Sequence, residues 1–430
     1  MEAVQEKSRR RLRFGAKAML FFAVFGPGLI TASADNDVGG ITVYSQAGAQ
    51  FGYSILWTLI PITIALMVVQ EMSARMGAVT GKGLAGLIRE HFGVRWTFFV
   101  MLAFVASNIF TTSAEFAGVA VAAKIFHLSA YIAVPAVALL VFVLVLRTGR
   151  GVTEKVFLIF SALYFTYVIS GFRAHPNWHD VWRGFLVPTI SHDQNYLWMI
   201  IALIGTTISP WMQFYIQSSI VEKGIRVRDY AFSRIDVLFG CFITDFMSFF
   251  MILATAATIF VFNVAHPHHQ YIINETSDAA RALEPIAGGF AAILFGFGIL
   301  NAGIFTASIL PLSTAFFVCE AGGFESGVNK RFSEAPAFFS LYAGVIAVGA
   351  LLVLLPGIPL LRLINYSQIV SGILLPFLLI FMLILINKKS LMGDHRNGPV
   401  LNIVAWATAV SVAAITLLSV YQTISRTFFS

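Results

Sequence analysis

The sequence is a succession of long apolar runs separated by short polar segments. A helix needs about 20 apolar residues to cross a bilayer, and eleven runs meet that length. The runs are continuous and do not alternate with period two, which predicts helices and excludes a membrane β-barrel. The pattern therefore predicts an all-α polytopic membrane protein with eleven transmembrane helices. They lie at residues 18–47, 52–74, 96–123, 129–147, 155–173, 195–221, 234–263, 282–319, 336–355, 363–387 and 399–425.

Composition agrees with this class. Hydrophobic residues make up 58% of the 430 residues and charged residues only 11%, whereas soluble domains carry about 25% charged residues. Both cysteines, Cys241 and Cys319, lie in apolar runs, which indicates neither a disulfide framework nor a metal cluster. The first run is long and lacks a small-residue cleavage site, so we expect no cleavable signal peptide.

Charge is distributed unevenly along the chain. Six basic residues precede the first run, and most of the other Lys and Arg residues fall in loops on the same predicted side of the membrane. A basic N-terminus can bind nucleic acid or lipid, but beside a first span it is typical of a cytoplasmic anchor. We therefore expect residues 1–17 in the cytoplasm, the spans in the plasma (inner) membrane, and the C-terminus outside.

The two longest outer segments, 174–194 and 264–281, contain several histidines. Clustered histidines can bind metal, but Pro176 and Pro267 interrupt the i,i+4 spacing that a helical site needs. We expect these histidines to be exposed loop residues. They are His175, His179, His192, His266, His268 and His269.

The first run contains two carboxylates, Asp35 and Asp37, followed by Gly39 and Gly40. A carboxylate near the middle of a bilayer costs about 2.5–3.5 kcal/mol on insertion scales, so it indicates a functional site. The glycines can break the helix and expose backbone carbonyls for binding. The local sequence leaves one alternative open, a short loop between two spans with both aspartates in water.

The sixth run is interrupted as well, because Pro210 follows Gly-Thr-Thr-Ile-Ser and frees backbone groups in mid-span. Alone, this could be an ordinary proline kink. Spans 1 and 6, however, each begin a set of five, and paired interruptions in two halves point to an inverted-repeat transporter with its site near the midplane. We therefore predict a first repeat at 18–173, an inverted second repeat at 195–387, and one extra helix at 399–425.

Other polar residues lie inside predicted spans, and the two breaks make them candidates for the same site. Small-residue runs such as 114–118 more often mark close helix packing than a site. Glu115 has no such explanation unless it is protonated or paired. The residues are Glu115 in span 3, Asp245 in span 7, Asn301 in span 8 and Gln368 in span 10.

Four stretches make the chain resemble the NRAMP family of divalent-metal transporters over nearly its full length. They are Gly-Ala-Gln-Phe-Gly-Tyr-Ser-Ile-Leu-Trp at 48–57, the stretch 70–85, Ser-Ala-Glu-Phe-Ala-Gly at 113–118, and Ser-Gln-Ile-Val-Ser-Gly-Ile-Leu-Leu-Pro at 367–376. The resemblance implies a LeuT-type inverted repeat of five plus five helices in which the broken helices 1 and 6 hold the ion.

The departures from the family pattern indicate a particular branch. The family's Asp-Pro-Gly-Asn is Asp-Val-Gly-Gly at 37–40, and the methionine of its Ala-x-x-Met-Pro aligns with Ser209. The family's span-6 histidine aligns with Gln217, and an acidic residue of span 3 aligns with Thr112. Those two positions are associated with proton movement in the family, and neither can titrate here. The pattern resembles the NRAMP-related magnesium transporter branch.

The resemblance and the chemistry together give a set of candidate ligands. Carboxylate, carbonyl, hydroxyl and water suit Mg²⁺ and Mn²⁺, whereas thioether selects softer metals. We expect Asp37 to be the main anionic ligand and small residues to leave room for a hydration shell. Asp35 and Asn36 are further candidates for direct or water-mediated ligands. Glu115 is a candidate for a gating or proton-path group, with a structural hydrogen bond as the alternative. The other expected site residues are Ala34 and Thr206 through their carbonyls, Gly40, Ser209 and Gln368.

We expect a secondary transporter that imports Mg²⁺ and also Mn²⁺ by alternating access without proton coupling. A divalent cation gains about 4.6 kcal/mol per 100 mV of inside-negative potential, so coupling is not required. The main alternative is a proton-coupled Mn²⁺/Fe²⁺ importer. A carrier of organic solutes such as amino acids is disfavoured, because a carboxylate in the site repels the carboxylate of an amino acid. An intramembrane enzyme is disfavoured as well, because the spans contain no Ser/His, paired-Asp or His-Glu-x-x-His arrangement. Beyond the transported ion and the bilayer, we expect no cofactor, nucleic acid or obligate protein partner.

Overall fold

The computed structural model describes residues 28, 31, 32, 34–160, 165–268, 271, 273, 276–283, 288 and 291–429. The described part is built from helices joined by turns and short irregular segments, and it contains no strand. This confirms the predicted all-α architecture. The predicted N-terminal segment 1–17 and most of the first span lie outside the described residues.

The first half of the described chain contains six helices. α1 is followed by a 3₁₀ turn, Gly52–Thr58, and α6 occupies part of the outer segment that we predicted as a loop. The Asn177 side chain begins α6 by accepting the backbone N–H of His179 at 3.1 Å. The helices are α1 Val38–Phe51, α2 Leu59–Thr80, α3 Leu84–Ile125, α4 Ala130–Phe160, α5 Phe165–Arg173 and α6 Trp178–Leu186.

The second half contains nine more helices. α9 continues through a π-helical turn, Ala256–Phe260, into α10, and further 3₁₀ turns lie at Val227–Asp229, Thr276–Leu283 and Gly393–His395. The helices are α7 Gln194–Thr207, α8 Pro210–Glu222, α9 Tyr230–Thr255, α10 Val261–Ala265, α11 Ala291–Gly322, α12 Pro336–Leu354, α13 Leu360–Ile386, α14 Lys389–Met392 and α15 Pro399–Phe429.

Within the described residues, nine helical segments are long and apolar enough to cross a membrane. One of them, Val38–Thr80, joins the end of our first span to the second. None corresponds to the fifth span, 155–173, where residues 161–164 lie outside the described part. The count of eleven and the five-plus-five repeat therefore stay predictions.

Residues 75–95, which the predicted spans 52–74 and 96–123 leave as a connecting loop, are largely helical. α2 continues to Thr80, and α3 begins at Leu84 and bends at Gly93, whose φ of 82° is one that residues with a side chain rarely adopt. Leu84, Leu87 and Ile88 are buried. This i, i+3, i+4 spacing forms one apolar helix face, which a search for continuous apolar runs overlooks.

The two broken runs lie at the centre of the molecule. The most apolar stretch of α7 and α8 is entirely buried, whereas only 17% of that within residues 130–147 of α4 and 22% of that within residues 399–422 of α15 is buried. α3 packs along α11, α12 and α13, and α1 packs between α7 and α9. The surrounding helices therefore enclose both interruptions away from lipid.

Candidate metal site

The first break lies directly before α1. Residues 31 and 32 are helical, residues 34–37 form turns and bends, and α1 begins at Val38. Asp35, Asn36 and Asp37 are at most 3% exposed. The alternative in which both aspartates stand in water is therefore wrong, and the predicted broken helix is present.

Asp37 begins α1 as its N-cap residue. Its backbone is extended, with φ −75° and ψ −177°, and its Oδ1 accepts the N–H of Gly40 at 2.5 Å. A carboxylate in this position lies at the positive end of the helix dipole, which stabilises its negative charge. The break thus holds one carboxylate in a fixed orientation in the protein interior.

The chain before the break is fixed against α9. The N–H of Gly28 donates to Asp236 Oδ2 at 2.7 Å, and the Thr244 hydroxyl donates to the carbonyl of Ala32. The helices approach so closely here that a Cβ on Gly240 would lie 2.8 Å from the Gly28 carbonyl oxygen. These contacts position the segment that carries Asp35 and Asp37.

The second break separates α7 from α8. α7 ends at Thr207, Ile208 has a non-helical φ of −115° and ψ of 51°, and Ser209 is extended. Pro210 is the first residue of α8, a position where its missing N–H leaves no intrahelical bond unmade. The interruption is a full break and not a proline kink within a continuous helix.

Direct contacts place the two breaks side by side. The Tyr44 hydroxyl of α1 lies 2.7 Å from Thr207 Oγ1, at the last residue of α7. Gln368 of α13 covers both breaks. A Cβ on Gly39 would lie 1.8 Å from the side-chain Nε2 of Gln368, and a Cβ on Gly205 would lie 2.0 Å from the backbone carbonyl oxygen of Gln368. Gln368, which the sequence analysis includes among the expected site residues, therefore lies at the junction of the breaks.

Glu115 faces the same helix terminus from α3. Its Oε2 accepts the N–H of Val38 at 3.3 Å, and its carboxyl group contacts that of Asp37. Both residues are nearly inaccessible, and Glu115 Oε1 has no hydrogen-bond partner among the described groups. Two buried acids in contact require a proton or a bound cation, because buried charges are costly unless they are paired.

Several other oxygens surround this pair of carboxyl groups. The carbonyl of Ala34 accepts the Thr306 hydroxyl at 3.3 Å, and the Ser209 hydroxyl donates to the carbonyls of Gly205 at 2.6 Å or Thr206 at 3.1 Å. A hydroxyl that donates in this way still has lone pairs for a cation or its water. Buried oxygens without a hydrogen-bond partner occur at several places in the described structure, and those at or beside the two breaks include Asp35 Oδ1 and Oδ2, Asn36 Oδ1, Thr206 Oγ1 and Gln368 Oε1.

The arrangement can bind a hard cation. Buried carboxyl groups in contact need a neutralising charge, and oxygens without a protein partner can accept a cation or its water. Oxygen donors of this kind suit Mg²⁺ and Mn²⁺. The residues present therefore fit a divalent ion as the transported substrate.

Gly40 contributes differently from what we expected. A Cβ at this position would lie 2.8 Å from the Asp35 carbonyl oxygen and 3.3 Å from the Tyr44 ring. The space beside Gly40 is thus occupied by the folded-back chain and does not enlarge the site. Its contribution is the N–H that binds Asp37.

The sequence reasoning missed three polar residues that complete the site. Tyr44 and Thr207 join the breaks, and Thr306 of α11 binds the Ala34 carbonyl. Tyr44 lies seven residues after Asp37, so it shares a helix face with it, which is a usable signal. Thr306 lacks such a signal, because its role depends on how α11 is rotated against the first break.

Thr112 and Gln217, the two positions where the family pattern has a titratable residue and this chain does not, are also buried. The side-chain amide of Gln217 donates to the Lys82 carbonyl at 2.9 Å. Thr112 packs closely against Gly349, since a Cβ on Gly349 would lie 2.9 Å from the Thr112 methyl group. The outer histidines lie elsewhere: the described ones, His175, His179, His192, His266 and His268, are exposed. His269 lies outside the described residues.

A polytopic helical protein with two adjacent helix breaks around a buried, oxygen-lined site belongs structurally to the membrane transporters. A family model described as "Nramp: Natural resistance-associated macrophage protein-like" matches residues 28–422. The chain belongs to this family, and its relatives are metal transporters and not enzymes.

Individual relatives agree over nearly the full length. The chain is 28% identical over 404 residues to the divalent metal cation transporter MntH of Klebsiella pneumoniae (strain 342), covering 91% of this chain and 92% of the relative. The Yersinia pestis (strain Pestoides F) protein of the same name is 28% identical over 400 residues, covering 90% and 91% of the two chains.

Solved structures show the same fold. The Eremococcus coleocola manganese transporter, in complex with an aromatic bis-isothiourea substituted compound, superposes with a TM-score of 0.75 at 20% identity, covering 95% of this chain and 88% of that one. MHP1, a nucleobase-cation-symport-1 family transporter, superposes with a TM-score of 0.55 at 12% identity, covering 94% and 93% of the two chains.

Proposed function

We propose that this protein imports Mg²⁺, and also Mn²⁺, through the site at Asp37 by alternating access, without proton coupling. The observation that carries this proposal is the donor set, which among the described residues at the two breaks consists of oxygen atoms only. Relatives named as divalent metal and manganese transporters support the general activity. The preference for Mg²⁺ rests on the hard donor atoms, and the absence of coupling rests on Thr112 and Gln217.

The nearest thioether on α8 is turned away from the breaks. Met212 is fully buried, and its sulfur accepts the side-chain amide of Gln70 at 3.7 Å. Ser209 occupies the position of the family's methionine and presents a hydroxyl. Soft metals gain most from sulfur ligands, so this substitution lowers the preference for Cd²⁺ and Fe²⁺ relative to Mg²⁺.

The geometry also suits an ion that keeps part of its water. Mg²⁺ dehydrates reluctantly and is usually held by one or two carboxylates and several waters. Asp37 supplies one such carboxylate, and the unpartnered oxygens of Asn36, Thr206 and Gln368 can accept hydrogen bonds from those waters. We assign Asp35 the same water-mediated role.

The absence of proton coupling follows from the residues at two positions. Thr112 and Gln217 cannot carry a proton away from the site, and Gln217 is bound to a backbone carbonyl. The membrane potential alone supplies about 4.6 kcal/mol per 100 mV for a divalent ion. That energy is sufficient for uptake of an abundant cation.

Uptake into proteoliposomes tests the site assignment. Asp37→Ala removes the main anionic ligand, so we expect Mg²⁺ and Mn²⁺ uptake to fall by at least about tenfold, the effect of losing roughly 1.4 kcal/mol of binding. The matched control is Asp394→Ala, which alters an exposed aspartate in the 3₁₀ turn after α14 and should leave uptake unchanged. Wild-type uptake by Asp37→Ala would falsify the assignment.

A proton-coupled Mn²⁺/Fe²⁺ importer is the second candidate, favoured by the contact between Glu115 and Asp37 and by the names of the relatives. A pH-sensitive dye inside the vesicles separates the two candidates. Acidification of the lumen in step with Mn²⁺ entry would support coupling and leave Glu115 as its proton carrier. A constant lumen pH during Mg²⁺ and Mn²⁺ uptake is expected for the function we propose.

The eleven-span topology belongs to the same proposal. It includes the five-plus-five inverted repeat, a cytoplasmic N-terminus and an outer C-terminus. A cysteine introduced at Asp394, after first replacing Cys241 and Cys319 by alanine, should react with an impermeant maleimide only in inverted vesicles. Labelling of intact cells would place this turn outside and reverse the orientation.

A further inference from the structure

A cavity lies beside the metal site, between α2, α5, α6 and α9. Its volume is about 780 Å³, within the range of about 300–1,000 Å³ that is typical of small-molecule sites. Eight of its lining residues are aromatic, among them Trp178 and Trp182 of α6 and Phe246 and Phe250 of α9. The cavity does not contain Asp37 or any other residue assigned to the metal site.

One carboxylate interrupts this aromatic lining. Asp245 of α9 lines the cavity and is 5% exposed, and the Thr63 hydroxyl lies beside its carboxylate. The titratable groups that interact with Asp245 in the described structure, Asp35, Tyr44 and Cys241, are acidic or neutral. A buried carboxylate without a counter-charge is costly, so this wall of the cavity is complementary to a positive charge.

We infer that the cavity binds an organic cation with a flat apolar body and a hydrogen-bonding charged head, such as an aryl amidinium. The charged head would pair with Asp245 and lie against aromatic ring faces, which attract cations by about 0.5–2 kcal/mol each. The apolar body would fill the remaining aromatic volume. Thr63, which lines the cavity and whose hydroxyl donates to the Leu59 carbonyl at 2.7 Å, offers a second acceptor for an amidinium N–H.

The carboxylate in the lining favours this class over a lipid chain. An acyl chain would fit against the rings but would leave the charge of Asp245 without a counter-charge. Trp182 is 52% exposed on α6, at the edge of the cavity, so an amphipathic molecule can reach the interior from this face. A metal ion alone would find only one carboxylate there and an otherwise apolar lining.

Binding of 4-butylbenzamidine to the purified full-length protein tests this inference. Its neutral isostere 4-butylbenzamide has the same size and lacks the charge. We expect saturable binding of the amidine, measured by calorimetry in detergent micelles, and at least about tenfold weaker binding of the amide, the size of effect typical of a hydrogen bond to a charged group. Equal binding of both compounds would mean simple partition into apolar surface and would overturn the inference.

Three variants locate the site. Asp245→Asn keeps the shape and removes the charge, so amidine binding should weaken by at least about tenfold. Trp182→Leu removes a partly exposed ring, should weaken binding several-fold and should leave Mn²⁺ uptake unchanged, which keeps the inference testable if Asp245→Asn does not fold. Asp37→Ala should bind the amidine normally. Loss of binding in Asp37→Ala together with normal binding in Asp245→Asn would place the ligand in the metal site and refute the second site.

Discussion

At the scale of single residues, two side chains carry the ion preference that we propose. Asp37 is fixed by the Gly40 N–H at the start of α1, so its charge is held at one point in the protein interior. Ser209 stands at the start of α8 and presents oxygen where the family pattern has sulfur. Asp37 is conspicuous as a charge inside an apolar run, whereas Ser209 was identified through the resemblance to the family pattern.

Replacing Ser209 by methionine tests the hard-donor argument. In Ser209→Met a thioether replaces the hydroxyl, so Cd²⁺ should inhibit Mn²⁺ uptake more strongly, by roughly tenfold for about 1.4 kcal/mol of added affinity. Mg²⁺ uptake should fall. Ser209→Ala is the control, since it removes the hydroxyl without adding sulfur and should lower Mg²⁺ uptake without increasing the Cd²⁺ effect. Unchanged Cd²⁺ inhibition in Ser209→Met would mean that position 209 does not face the ion.

At the scale of elements, glycines and hydroxyls bring the broken helices together. Gly39 and Gly205 let α13 approach so that Gln368 covers both breaks, and Tyr44 joins α1 to the end of α7. These contacts involve residues more than 160 positions apart in the chain. The sequence marks the glycines, but it does not show which neighbour uses the space that they leave.

Gly39→Ala tests the close approach of α13. The added methyl group would overlap the Gln368 side chain, so we expect a loss of about 1–3 kcal/mol in stability, seen as a lower melting temperature in detergent. Gly86→Ala is the matched control, because this helical glycine has open space around it and should be neutral or slightly stabilising. Combining Gly39→Ala with Gln368→Ala should restore part of the loss. Equal melting temperatures for the two glycine variants would contradict the packing described here.

A double-mutant cycle tests the bond between the breaks. Tyr44→Phe and Thr207→Val each remove one hydroxyl of the 2.7 Å pair and should each lower stability by about 0.5–1.5 kcal/mol. The double variant should cost less than the sum of the two, since the bond can be lost only once. Strictly additive losses in thermal unfolding would indicate that the two hydroxyls do not interact.

At the scale of the whole molecule, the groups that act on the buried acids of the site within the described part of the chain are acidic or neutral. α7 and α8 are the most deeply buried elements, and α3, α11 and α13 surround the first break. The buried acids therefore depend on the transported ion or on protons for neutralisation. Whole-protein transport should respond to the membrane potential, because the substrate supplies the moving positive charge.

A potassium diffusion potential across proteoliposomes tests this dependence. Making the lumen negative by 100 mV should raise accumulated Mg²⁺ substantially, toward the limit set by about 4.6 kcal/mol for two charges. An outward or inward pH gradient of one unit should change accumulation little, since Thr112 and Gln217 carry no proton. Uptake driven by the pH gradient and insensitive to potential would reverse the proposed mechanism.

Much of this protein could be predicted from its sequence because the bilayer makes polar residues and helix breaks expensive and therefore conspicuous. The all-α class, the breaks before Val38 and at Pro210, and the buried positions of Asp37, Glu115 and Gln368 all follow from that cost. The tertiary structure alone decided which groups meet: Thr306 on the Ala34 carbonyl, Tyr44 on Thr207, and Asp245 in an aromatic cavity. Such meetings depend on how each helix is rotated and placed against the others, and that register is set by packing between distant segments and not by any local pattern.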